Sequence, residues 1–89
     1  YLLNYIREVY KMVKMSVSYN KLWKLLVDKK MSKADLRRAA DISPNTLTKL
    51  RRDEEVAMSI MRKICEYFEC NIGDVCEFVV IDDTEVVSK

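Results

Sequence analysis

Apolar positions recur at three- and four-residue intervals along most of the chain, a spacing that predicts a succession of short helices. Over residues 19–30, Leu22, Leu25 and Leu26 share one face, Trp23 and Val27 widen it, and Lys21, Lys24, Asp28 and Lys29 lie outside it. Ser32, with Asp35 after it, has the form of a capping box and opens a helix reaching Ala40, with Leu36, Ala39 and Ala40 inward. Ser43 followed by Pro44 opens the next. A serine hydroxyl accepts from the first unpaired amides, and proline at the first helical position lacks only an N–H that would have no partner there. This helix continues to Arg52 with Leu47 and Leu50 toward the core. Residues 57–69 carry Met58, Met61, Ile64, Cys65 and Phe68 on one stripe, the pattern of a core helix. Asn71 caps a last short helix bearing Ile72, Val75 and Cys76.

The two ends of the chain follow other patterns. Leu2, Tyr5, Ile6, Val9 and Val13 space an amphipathic helix over residues 1–13. Residues 14–18 alternate and read as a short strand. Their only antiparallel partner is the segment 77–81, so a two-stranded ribbon would join the chain ends beside the helices. Residues 82–89 read as a loosely held acidic tail. The organisation expected is an N-terminal extension over 1–18, a helical domain over 19–78, and a strand and tail over 79–89.

Composition narrows the chemistry. One glycine and one proline in 89 residues leave too little turn punctuation for an all-β sandwich and cannot write a phosphate-cradling loop. With no histidine, the triads and dyads built on it and the imidazole zinc sites are excluded. Cys65, Cys70 and Cys76 are odd in number and contain no Cys-x-x-Cys, so they read as reduced thiols in a cytoplasmic protein rather than a disulfide framework or zinc ribbon. No nucleophile, base and oxyanion set can be assembled. The expectation is therefore no enzyme, no catalytic residues, no metal, no cofactor and no membrane segment.

Charge adds a direction. The net charge of +2 conceals +7 over residues 21–52 and −7 over residues 53–89. A basic third of this kind suits a polyanionic partner, with the acidic third turned away from it. The basic residues also gather on one structural unit. Residues 33–52 form a short helix, a tight turn and a second short helix, neither stable alone, with Leu36, Ala40, Ile42, Leu47 and Leu50 spaced to meet. That is a helix-turn-helix. The outer side of its second helix offers Asn45, Thr46, Thr48, Lys49 and Arg52, side chains suited to the major groove of duplex DNA.

At these residues the chain resembles the Cro/cI-type, or XRE, helix-turn-helix domains of prokaryotic and phage regulators. The likeness runs over residues 20–78. It is carried by LWKLLVDKKMSKADLRRAADISPNTLTKL and, downstream, IMRKICEYFECNIGDV. The resemblance implies an all-α, five-helix lambda-repressor-like bundle, here with the short terminal ribbon. It also implies a sequence-specific regulator binding double-stranded DNA as a homodimer, with the recognition helix over 43–52. Position by position, it implies base contacts from Asn45, Thr46, Thr48 and Lys49. Phosphate contacts would come from Lys33, Ser43, Arg51 and Arg52. Such a protein would work in a prokaryotic cytoplasm, on the nucleoid, without a small-molecule effector. Three positions depart from the family pattern: Asp41 where glycine is usual in the turn, Arg37 where alanine is usual, and Pro44 where a base-reading polar residue is frequent. The alternative is a protein-interaction module, an antitoxin or adaptor component, working through the acidic C-terminal third.

Overall fold

The computed structural model describes residues 9–87, with side chains over residues 13–82. In chain order the elements are β1 (Val9–Ser18), α1 (Asn20–Asp28), α2 (Lys33–Ala39), α3 (Pro44–Arg51), α4 (Met58–Phe68), a single 3-10 turn (Ile72–Asp74) and β2 (Glu77–Val87). The helices enclose one core of Leu22, Leu26, Leu36, Ala40, Ile42, Leu50, Met61, Ile64 and Val75, with Val17 and Tyr19 delivered to it by the end of β1. β1 and β2 form an antiparallel ribbon running from Ser18↔Glu77 at its root to Val9↔Val87 at its far end, with one bulge between Lys14 and Met15.

Two expectations about the fold are corrected. Among the described residues the bundle has four α-helices, not five, and the fold is not all-α, because the two strands take up 10 and 11 residues. The fifth helix fails for lack of length. α4 is stopped at Glu69 and β2 starts at Glu77, so only one 3-10 turn fits between them. The ribbon is also far longer than the segments 14–18 and 77–81. Val9 and Val13, read as part of an N-terminal helix, lie in β1, since positions four apart satisfy a period of two as well as one of 3.6. β-Branched residues there and at Val86 and Val87 favour the pleated surface over a helix. The expected tail is thereby strand as far as Val87, and the helical reading of residues 1–8 falls outside the described residues. Three residues assigned to apolar faces, Val27, Ala39 and Met58, are exposed.

All four helices end in the same way, and without glycine. Lys30, Asp41, Asp53 and Glu69 adopt φ of 56°, 55°, 56° and 54°. In each case the next amide folds back onto a carbonyl five residues earlier: Met31 to Leu26 at 2.9 Å, Ile42 to Arg37 at 3.0 Å, Glu54 to Lys49 at 2.9 Å and Cys70 to Cys65 at 3.0 Å. These are Schellman closures, in which a left-handed residue lets terminal carbonyls find partners. The one glycine, Gly73, is not at a positive φ.

Candidate nucleic-acid interface

The interface is built from α2, α3 and the turn between them. The Ser32 hydroxyl accepts from the Asp35 N–H at 3.0 Å, and the Asp35 carboxylate accepts from the Ser32 N–H at 2.9 Å, so the capping box is complete. These contacts, joined by Arg38 at 2.7 Å, hold the Asp35 carboxyl below its ordinary value. Asp41 then takes the left-handed turn usual for glycine in the family pattern. Aspartate tolerates this conformation better than most residues, and Lys63 of α4 donates to its carbonyl at 3.2 Å. At the start of α3 the Ser43 hydroxyl accepts from the Thr46 N–H at 3.1 Å and donates to the Thr46 hydroxyl at 2.9 Å, with Pro44 following in the first turn.

α3 is clamped from behind. Leu50 is wholly buried and Leu47 half-buried. After α3, buried Tyr19 donates its phenol hydroxyl to the Glu54 carbonyl at 2.8 Å, and its N–H donates to the Asp53 carboxylate at 3.3 Å. Burial is the main cause that pushes the Tyr19 phenol above its ordinary value. The sequence reading missed both Tyr19 and Lys63 as supports of this unit. Their signal was an aromatic residue at the boundary of an alternating segment and a lone lysine on an otherwise apolar-striped helix.

The helical repeat sorts the predicted contact residues. Residues four apart lie in a row. Pro44 and Thr48 form one outer row, leading to Arg52, and Asn45 and Lys49 form the row beside it. Asn45, Lys49, Arg51 and Arg52 are exposed. Among the described residues, the side chains of Asn45 and Lys49 enter no hydrogen bond or ion pair. Thr48 is half-buried and donates its hydroxyl to the Pro44 carbonyl at 3.1 Å, leaving its oxygen lone pairs for a further donor. Thr46 stands on the row of Leu50, half-buried, with its hydroxyl engaged by Ser43. Lys33 lies apart from α3 at the start of α2, its ammonium 4.4 Å from the centroid of the Trp23 ring. Arg37, where the family has alanine, is half-buried. Arg52 and Glu54 approach to 4.0 Å, an exposed pair of little energetic weight.

Among the described residues, the acidic third brings the Glu54 carboxylate to the end of the outer row at Arg52, while Asn45 and Lys49 meet no carboxylate. No cluster of ligands able to hold a metal ion occurs among the described residues, and no described helix is long and apolar enough to cross a membrane.

The comparisons bear on this geometry directly. A family model for the Cro/C1-type HTH DNA-binding domain matches residues 21–80. The chain belongs to that family. It is a DNA-binding domain family and not a family of enzymes. A crystal structure of the transcriptional regulator VanUg superposes with a TM-score of 0.74 at 45% sequence identity, covering 78% of this chain and 92% of that one. No curated protein sequence matches the chain significantly.

Proposed function

We propose that this Cro/C1-type chain is a sequence-specific transcriptional regulator that lays α3 in the major groove of duplex DNA, with residues 19–78 as its DNA-binding unit. One observation carries the reading. Asn45 and Lys49 stand adjacent, exposed and unengaged on a helix whose opposite side is locked to the core by Leu50. Asparagine matches the donor and acceptor pair of adenine, and lysine the two acceptors of guanine. Thr48, on the adjoining row, offers a methyl group to thymine. Thr46, half-buried with its hydroxyl engaged by Ser43, would add a base contact at the start of α3. Lys33, Ser43, Arg51 and Arg52 take the flanking phosphates, which fix position without reading sequence. The likeness to a transcriptional regulator supports the regulatory role. In this reading the protein is a homodimer on paired half-sites about one DNA turn apart, in a prokaryotic cytoplasm, without a small-molecule effector.

Selection of bound sites from random duplex DNA, followed by titration of variants, tests the proposal. Asn45→Ala and Lys49→Ala are each expected to cost about 1–3 kcal/mol on the selected site and little on random duplex. Arg52→Ala is expected to weaken both and to lower the slope of log affinity against log salt by about 1. Equal losses of Asn45→Ala on both duplexes would remove it from base reading. Copurification of a basic protein on the acidic third, with no duplex selected at low salt, would favour the interaction module instead.

A further inference from the structure

The end of α4 holds two thiols side by side. The left-handed turn at Glu69 folds the chain back, so that the Cys70 N–H donates to the Cys65 carbonyl at 3.0 Å. With standard bond lengths, a contact that short keeps the two Cα atoms within about 7 Å, the span a disulfide can bridge. Both side chains are half-buried, and both line one open cleft whose walls include Arg62, Glu66, Glu69 and Asp74. They therefore turn the same way, as bridging requires. After burial, Cys70 is the strongest influence on the Cys65 thiol, in keeping with two neighbouring sulfurs. Cys76 is turned elsewhere. Its thiol donates to the Ile72 carbonyl at 3.5 Å, and it lines a different groove, beside Tyr19, Met61 and Phe78. All three thiols are free, and the cleft draws on no residue of α2 or α3.

We infer that Cys65 and Cys70 form an oxidation site, closed to a disulfide within one chain by hydrogen peroxide, with Cys76 left reduced. The charge around the cleft selects the oxidant. Three carboxylates stand there against one guanidinium, so a small neutral peroxide enters without repulsion, whereas anionic glutathione disulfide is disfavoured. The order of attack follows from the thiols. Burial pushes Cys65 up to about 11, so it keeps its proton and is the poorer first nucleophile. The Cys70 thiolate attacks one peroxide oxygen, the O–O bond breaks, and hydroxide leaves. The sulfur, oxidised by two electrons, becomes a sulfenic acid, and the peroxide is reduced. The Cys65 sulfur then attacks the Cys70 sulfur. The S–O bond breaks, and the hydroxide leaves as water with the Cys65 proton. In sum, two thiols and one peroxide give one disulfide and two waters. The new bond encloses Glu66 to Glu69 and pins the turn through which α4 passes to the 3-10 turn and β2. Exchange with a small thiol reopens it, so in reducing surroundings the pair rests as the dithiol. This site is independent of the DNA reading, since neither thiol lies on the recognition unit.

The test uses the reduced wild-type chain, treated with hydrogen peroxide without DNA, then alkylated and weighed. The expected product has lost two hydrogens, about 2 Da, and takes up one alkyl group where the reduced chain takes up three. Proteolytic cleavage after Glu66 and Glu69 cuts the chain between the two cysteines, and cleavage after Asp74 separates Cys76. The Cys65 and Cys70 fragments should then stay joined until reductant is added. Cys76→Ser should behave as the wild type does. Cys65→Ser should stop at the sulfenic acid of Cys70, trapped by dimedone, and Cys70→Ser should not lose the two hydrogens. Circular dichroism establishes that each variant is folded, and the wild-type fragment map decides the matter should a variant not fold. Three thiols still open to alkylation, under peroxide that oxidises free cysteine in the same buffer, would overturn the inference. So would a bridge that uses Cys76, a bridge formed only between two chains, or faster closure by glutathione disulfide than by peroxide at equal concentration.

Discussion

Replacing Glu69 by glycine should stabilise the protein, and the amount follows from the backbone at the end of α4. Glu69 holds φ 54° and ψ 53°, a left-handed conformation in which Cβ crowds the following carbonyl. That crowding costs an ordinary L-residue about 1–2 kcal/mol. Glycine removes it, but glycine gives up more freedom on folding, which returns about 0.5–1 kcal/mol. The carboxylate also sits at the negative end of the α4 dipole, so its removal contributes roughly 0.3 kcal/mol. Its side chain has no hydrogen-bond or ion-pair partner among the described residues to lose. The net expectation is a gain of about 1 kcal/mol, or about 4–8 °C in Tm for a domain of this size. Thermal and urea unfolding of the wild type, Glu69→Gly and Glu69→Ala provide the comparison. Alanine removes the charge and keeps Cβ, so it isolates the backbone contribution. If Glu69→Gly is no more stable than Glu69→Ala, the left-handed closure is not strained and the reasoning fails.

The other expectations concern the cap and the thiols. Ser43→Ala should lose about 1 kcal/mol of stability through the Thr46 amide it leaves unpaired. Ser43→Asp should keep the cap yet weaken duplex binding, because a carboxylate would face phosphate; equal DNA affinity for wild type and Ser43→Asp would take Ser43 away from the backbone contacts. Burial is the main cause that pushes the Cys65 thiol from 9.0 to about 11, with Cys70 beside it adding to the shift. A pKa raised on folding means stability that is complete below the unfolded value and lost as pH rises through the folded one. Urea midpoints in reductant should therefore fall between pH 9.0 and about 11, and Cys65→Ala should flatten that fall. Cys76 and Tyr19, also raised, act in the same direction and leave a residual slope.

Helix starts were legible in the sequence because their chemistry is local. Ser32 with Asp35, and Ser43 with Pro44, carry the atoms that begin α2 and α3, and both caps form as the spacing implies. Of the helix ends, the one at Asp41 was legible, because it stands at the turn position usual for glycine and aspartate tolerates the left-handed region. The others were not: Lys30, Asp53 and Glu69 also replace glycine, and nothing in an isolated lysine or glutamate announces a left-handed turn. The ribbon was legible only at its root, where alternation is strict. Beyond it, Val9 and Val13 satisfy both helical and strand periods, and only pairing with β2 resolves the choice.

The candidate interface divides along the same line. Exposure of Asn45, Lys49, Arg51 and Arg52 follows from the positions of the leucines on α3. The half-burial of Thr46 follows from its four-residue spacing to Leu50, a relation present in the sequence. Tyr19 was hidden differently. Its phenol reaches the Glu54 carbonyl across 35 positions, a contact that no local pattern contains.

The pairing of Val9 with Val87 brings the outermost described residues of the two strands side by side, in a molecule 53 Å long and 22 Å across. Polypeptide appended before β1 or after β2 therefore emerges from one place. A short linker joining the two strands there would convert the ribbon into a hairpin, and new termini could be opened in an exposed loop of the helical body. The order of the elements along the polypeptide would then change while their arrangement in space stayed the same.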